Sequence, residues 1–307
     1  MEDCLTIDVH QHLWGQRFVD ALRRRHDPPY LRGWELHTAT EPPHEVDPDA
    51  HDAQRRAALE QSSGTVLAAT SLSSPLGVEQ LTDGADLLAA YHADIADLPA
   101  PFRAWAAVSL VDPDLAELKQ RLQAGCVGLQ LPATALGTPD GWAACAAVLD
   151  VVADADRPLL VHPGPTLTPP NVPAWWAPVV GYVDQLSAAW WAWHFVGRRV
   201  APHLRVCFVA GAGLAPVHHE RFEARGGRFG VIDPDVFVDT SSYGPRALDA
   251  LIRVLGIDAL VLGSDRPYAE PTIPDLGAAA LHALTTTNPT RLLKLDAPAP
   301  DSPRRAR

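Results

Sequence analysis

Eight short apolar, β-branched runs, each followed by a stretch of helical spacing, constrain this chain more than any other feature. They occupy residues 5–10, 65–70, 103–109, 126–131, 158–162, 205–210, 236–240 and 259–263. Each run is nearly continuous in hydrophobicity, as parallel strands buried on both faces require. The intervening stretches read as helices. In residues 113–124, Leu115, Leu118 and Leu122 share one face, with Glu117 and Lys119 outside it. Asp112 before Pro113 supplies an N-cap and a proline at the first helical position. Residues 141–155, 184–200, 245–255 and 273–286 behave alike. Eight such alternations predict a closed α/β barrel, the (β/α)8 TIM barrel. An open doubly wound sheet is the alternative, but no glycine-rich dinucleotide fingerprint follows the first strand.

Two segments depart from the alternation. Residues 14–50 separate the first strand from its first expected helix, far beyond the usual βα loop. Within them YLRGWEL reads as a hairpin turning at Arg32-Gly33. Residues 164–183, GPTLTPPNVPAWWAPVVGYV, form the second departure. Long βα loops lie over the active face of such barrels. The 14–50 insertion is therefore expected to act as a lid, with Trp14, Arg32 and Trp34 in the pocket wall. Residues 1–295 are read as one domain, and the Pro-rich, charged 296–307 as a disordered tail.

A chain of 307 residues, 47% hydrophobic and 20% charged, suits one barrel of this kind. The net charge of −12 argues against a nucleic-acid partner. No apolar stretch approaches the ~20 residues of a membrane helix, and MEDCLTIDVH has no leader-like character. Cys4, Cys126, Cys145 and Cys207 form no CxxC pair. Reduced thiols and a cytoplasmic location are expected. The expected partner is a small-molecule substrate, and a homodimer is compatible with the sequence.

The chemistry-bearing residues gather at strand ends. His10 and His12 are two apart on one strand, so both imidazoles project to one side, with Cα atoms about 6.5–7 Å apart. His162 ends the fifth run in PLLVHPGP, and Asp265 follows the eighth in ALVLGSDRP. Each has an ordinary alternative taken singly: packing for a histidine, helix capping for an aspartate after Gly-Ser. Jointly, strands one, five and eight deliver metal-type residues to the same end of the barrel. Three imidazoles and one carboxylate suit one divalent ion, zinc first, with manganese or another first-row metal as the alternative. Asp265 is read both as a ligand and as the group that moves the proton.

The motifs DVHQH, LLVHPGP, RVCFVAGAGLAP and VLGSDRP, in that order, resemble the amidohydrolase superfamily. The nearest branch is the amidohydrolase-related one that includes aminocarboxymuconate-semialdehyde decarboxylase and its hydrolase relatives. The resemblance spans about residues 5–295, including the terminal TNPTRLL. It implies a (β/α)8 barrel with a mononuclear centre ligated by His10, His12, His162 and Asp265. It implies Asp265 as the acid/base residue.

One departure stands out. The family pattern has a histidine closing the sixth strand, and this chain has Ala210 there. His218 and His219 follow, read mainly as helix-surface or packing residues. Only Lys119 and Lys294 exist, and none ends the fourth strand, where Gln130 and Leu131 stand; that removes the usual bridge to a second metal. Gln130 is read either as substrate-facing or as satisfying backbone groups. Asp239, Ser241 and Ser242, ending the seventh strand, either bind ligand or cap the loop. Trp175 and Trp176 are placed at an aromatic pocket wall, and Trp190, Trp191 and Trp193 in helix packing. Arg32 is a candidate for a substrate carboxylate. The expected activity is hydrolysis of an amide, ester or lactone by a metal-activated hydroxide. The alternatives are non-oxidative decarboxylation of an aromatic or unsaturated acid, and a catalytically weak ligand-binding barrel, to which Ala210 points.

Overall fold

Eight parallel strands build the centre: β1 (Thr6–His12), β2 (Thr65–Ser71), β3 (Phe102–Ala104), β4 (Leu129–Pro132), β5 (Leu159–His162), β6 (Val206–Phe208), β7 (Val236–Asp239) and β8 (Leu260–Val261). This computed structural model describes residues 5–295, so Cys4 and the proposed tail at 296–307 lie outside the described residues. Pairing follows chain order, β1-β2-β3 in one sheet and β4 through β8 in another. Single bridges between Ala106 and Leu129, and between Gln11 and Arg266, join the two sheets on both sides. Val9 N donates to Leu262 O at 2.9 Å, which completes the ring. The barrel expected from the eight runs is therefore closed.

The core gathers Val9, Ala69, Trp105, Leu129, Leu131, Val161 and their neighbours. Trp105 lies across it and donates its indole N–H to Val9 O at 2.9 Å. A Cβ at Gly128 would stand 2.5 Å from the Trp105 ring, so the glycine makes room for that indole. Cys126, Cys145 and Cys207 are buried free thiols. Among the described residues no helix is long and apolar enough to cross a membrane.

The 14–50 segment differs from the expectation. It is not helix-free: α1 (Gln16–Arg24) starts directly after β1, burying Phe18, Val19, Ala21 and Leu22. Gly15 provides no side-chain cap. Asp94, from α2 (Ala85–Ile95), instead accepts from Arg17 N at 3.2 Å and Phe18 N at 2.8 Å. The cap thus comes from a distant part of the chain. The hairpin at 30–36 is present, pairing Tyr30 with His37 and Arg32 with Glu35, with Gly33 in the turn at φ +63°. A third antiparallel strand, His44–Glu45, extends it. Beyond the hairpin, Thr40 O accepts from Thr168 N at 3.4 Å and Oγ1 at 2.8 Å. Glu41 Oε1 accepts from the Tyr182 hydroxyl at 2.6 Å. The two long βα insertions are therefore stapled to each other.

After β6 the backbone takes an unusual path. Ala210, Gly211, Ala212, Gly213 and Leu214 all have positive φ, between 45° and 60°. Such a left-handed run is costly wherever a Cβ is present. The glycines sit where a Cβ would meet Leu251, at Gly211, or Val183 O, at Gly213.

Candidate metal centre

The ends of β1, β5 and β8 bring His10, His12, His162 and Asp265 together. One ligand atom from each lies within 4.8 Å of all the others. The three imidazole centroids stand at mutual distances of 5.0 Å, with near-perpendicular planes. His10 Nε2 and His12 Nε2 are 3.2 Å apart. Asp265 Oδ1 lies 3.5 Å from the first and 3.2 Å from the second.

The outer nitrogen of each ring is already engaged. His10 Nδ1 meets Asp239 Oδ2 at 2.8 Å, His12 Nδ1 meets Ser71 O at 3.0 Å, and His162 Nδ1 meets Pro163 O at 2.9 Å. A carboxylate or carbonyl at Nδ1 requires the proton there, which leaves the Nε2 lone pairs free to converge on one point. Converging lone pairs repel unless a cation sits among them, so the donor set fits a divalent ion. Burial pushes the pKa of His12 down, and that of His162 well down, with neighbouring imidazoles adding to the effect. Both are held in the neutral form that metal ligation needs. At His10 burial acts in the same direction, but Asp239, with Asp265 and Asp8, outweighs it and raises the pKa.

Local backbone chemistry sets this geometry. Asp265 has φ +64°, and its N–H donates to His10 O at 2.8 Å. His12 N donates to Arg266 O at 2.6 Å, so the Gly-Ser-Asp turn is fastened directly to the HxH strand. Beneath it Asp8 accepts from His10 N and Ser264 N, both at 3.1 Å, and from Gln11 Nε2 at 2.8 Å. Burial raises the Asp8 pKa against those bonds.

The other sequence candidates fall elsewhere. Ser241 does not face open space: its hydroxyl donates to Asp239 Oδ1 at 2.6 Å. Gln130 is fully buried, its amide N–H groups turned to Leu72 O and Ser74 Oγ, both at 2.7 Å. Trp14 is also buried and donates to Ser73 Oγ at 3.0 Å. Arg32 and Trp34 line a separate surface hollow with Glu35, Glu45, Val46, Asp47 and Pro48. Arg32 is held there by Leu31 O, Arg25 O and the Tyr30 ring. Trp175 is exposed beside Trp176. His218 lines a surface hollow with Trp191, Arg221, Phe222 and Arg225, and His219 stacks among Trp190, Trp191 and Phe229. Trp190 and Trp193 are core residues.

Sequence reasoning left open the part played by Asp239, which this structure makes the partner of His10 while it also accepts from Ala210 N at 2.7 Å and Ser241 N at 3.0 Å. It missed Tyr268, whose ring stands 5.4 Å from that of His12. It also missed Tyr182, whose phenol pKa is raised by burial, with Glu41, Tyr268 and Asp265 adding to the effect. Ala210 is half-buried, its N–H committed to Asp239.

No family model and no curated protein matches the chain. Solved structures do. Metarhizium anisopliae IDCase matches with a TM-score of 0.77 at 17% identity, covering 94% of this chain and 97% of that one. The 5-carboxyvanillate decarboxylase from Novosphingobium aromaticivorans, complexed with manganese and 4-hydroxy-3-methoxy-5-nitrobenzoic acid, matches with a TM-score of 0.70 at 16% identity over 95% and 96% of the two chains. An amidohydrolase II structure matches with a TM-score of 0.71 at 21% identity over 94% and 100%. The chain has the fold of these amidohydrolase-type proteins, as the resemblance of its motifs implies.

Proposed function

We propose that this chain is an amidohydrolase-type, metal-dependent enzyme that removes the carboxyl group of a small aromatic or unsaturated acid without oxidation. The observation that carries this reading is the single acid left open at the ligand cluster. Asp265 is 20% exposed at its side chain, whereas Asp239 is fully buried and committed to His10, Ala210 and Ser241. The named decarboxylases that share the fold support the reaction class.

A divalent ion held by the four residues would supply the positive charge that binds and orients a substrate carboxylate. Asp265 would pass a proton to the carbon bearing that carboxylate. The bond between the two carbons then breaks, its electron pair stays with the substrate carbon, and carbon dioxide leaves. Asp265 recovers a proton from water. Three imidazole nitrogens and a carboxylate suit zinc, and manganese occupies the solved decarboxylase named above.

Hydrolysis of an amide, ester or lactone is the second reading. Ala210 weighs against it, because a methyl group cannot take a proton from attacking water, which leaves both proton transfers to Asp265. The test is a panel of aromatic and unsaturated acids, with amides, esters and lactones in parallel, on protein reconstituted with zinc or manganese. Metal-dependent carbon dioxide release is expected, falling at least about 100-fold in Asp265→Asn, within the range of general acid–base catalysis. Turnover of the amide, ester or lactone set without carbon dioxide release would overturn the proposal in favour of hydrolysis.

A further inference from the structure

Glu79 is completely buried, and no cation pairs with either of its oxygens among the described residues. Oε1 accepts a short hydrogen bond from the Ser74 hydroxyl. Ser74 Oγ accepts in turn from Gln130 Nε2, whose second N–H goes to Leu72 O. Through Ser74 Oγ the Gln130 amide and the Glu79 carboxyl are brought side by side. This cluster leaves two buried oxygens without a partner, Glu79 Oε2 and Gln130 Oε1. Two oxygens bond to each other only if one carries a proton, and an amide oxygen does not carry one. A carboxylic acid does, and a proton on Oε2 would satisfy both atoms together.

We propose that Glu79 is a neutral carboxylic acid whose O–H donates to Gln130 Oε1, and that this closed hydrogen-bond ring positions the metal ligand His12. An ionised carboxylate buried here with no counter-charge would be far more costly than the neutral acid. Tyr91 of α2 stands near Glu79 and is itself a neutral phenol donating to Trp105 O at 2.7 Å. Burial moves the Glu79 pKa upward and outweighs the hydrogen bonds that lower it, that from Ser74 first.

The ring holds the segment that orients His12. It pins Leu72 and Ser74 on either side of Ser73, and Ser71 immediately precedes them. Ser71 O takes the Nδ1 proton of His12, and the Ser71 and Ser73 hydroxyls stand 3.4 and 3.5 Å from the same nitrogen. Leu76 N and Gly77 N close the turn onto Ser73 O and Ser74 O at 3.0 and 2.8 Å. Gln130 reaches this turn from β4, across the barrel mouth. Glu79 is thus a positioning residue, acting through Ser74 and Gln130 on the segment that fixes the His12 tautomer. Its coupling to metal rests on the metal reading given above, while its protonation does not.

Infrared spectra of metal-free protein test the protonation directly. Wild type at neutral pH is expected to show a protonated-carboxyl band that Glu79→Gln removes. A spectrum in which Glu79 contributes only carboxylate bands overturns the proposal, whether or not the protein binds metal. Metal affinity tests the positioning. Glu79→Gln, whose amide N–H can replace the acid proton, should bind zinc within about threefold of wild type. Glu79→Ala should bind about tenfold more weakly, at the low end of losses seen for groups behind metal ligands. On raising the pH, wild type should lose affinity where Glu79→Gln does not. Wild-type affinity in Glu79→Ala, or identical pH profiles for wild type and Glu79→Gln, would contradict the positioning role. A protein that binds no zinc would instead refute the metal reading, leaving the infrared result to stand alone.

Discussion

His10 shows how much of this centre depends on residues that never touch the metal position. Its Nδ1 is held by Asp239 Oδ2 at 2.8 Å, and Asp239 Oδ1 is fixed by three donors from Ala210 and Ser241. The carboxylate sets both the tautomer and the angle of the ring. Asp239→Ala is therefore expected to weaken zinc or manganese binding about 10–100-fold, measured by competition with a chromophoric chelator. Unchanged affinity would mean that the barrel wall alone orients His10. The HxH pair, His162 and Asp265 were legible because ligand chemistry needs particular residue types at strand ends. Asp239 was visible only as a loop-capping or ligand-binding option, since nothing in VFVDTSS says which way the carboxylate turns. Gln130 was undecided for the same reason, and its partners Leu72 and Ser74 lie 58 and 56 residues away.

At the scale of elements, the segment after β6 is where this chain departs most from the pattern its motifs resemble. Ala210 sits at φ +45°, half-buried, at the start of five left-handed residues. Histidine enters this region more readily than a β-branched residue does. Ala210→His should fold with a melting temperature within about 3 °C of wild type, whereas Ala210→Val should lose about 1–3 kcal/mol, consistent with the cost of strained backbone. Thermal melts of both variants check this, and a destabilised Ala210→His would show that no space exists there. The eight strands could be read from their continuous hydrophobicity, which local sequence carries. Helix α1 could not, because QRFVDALRR follows a glycine without a cap and its capping carboxylate, Asp94, is 76 residues from Phe18. The hairpin was legible from its turn at Gly33, but His44–Glu45 is too short and polar to announce itself as a strand. Arg32 and Trp34 were assigned to the pocket because they lie in an insertion after the HxH strand. In the structure they line a hollow with Glu35, Glu45, Val46, Asp47 and Pro48, and residues 40 and 41 make the contact with the second insertion.

For the whole molecule, buried and half-buried histidines outside the metal cluster tie stability to pH, among them His51, His194 and His219. Burial lowers His51 to about 3, with Arg56 and His12 adding to the effect. Burial likewise lowers His194 and His219 to about 4. Each is neutral in the fold but protonates near its ordinary value of 6.5 once unfolded. At these histidines the unfolded chain binds more protons below that value, so their contribution to stability is full above about pH 6.5 and declines as pH falls toward 4. Melting temperatures of metal-free protein should drop across this interval, and replacing His194 with Gln should flatten part of the slope. A flat profile between these limits would contradict the buried, neutral assignment.

The account depends most on one ion held by four residues from three strands. Metal analysis of reconstituted protein, combined with an anomalous-scattering map, measures this directly. One divalent ion per chain is predicted, lying between His10, His12, His162 and Asp265, with occupancy lost in His12→Ala and in His162→Ala. No bound ion, a stable pair of ions, or an ion held elsewhere would contradict it.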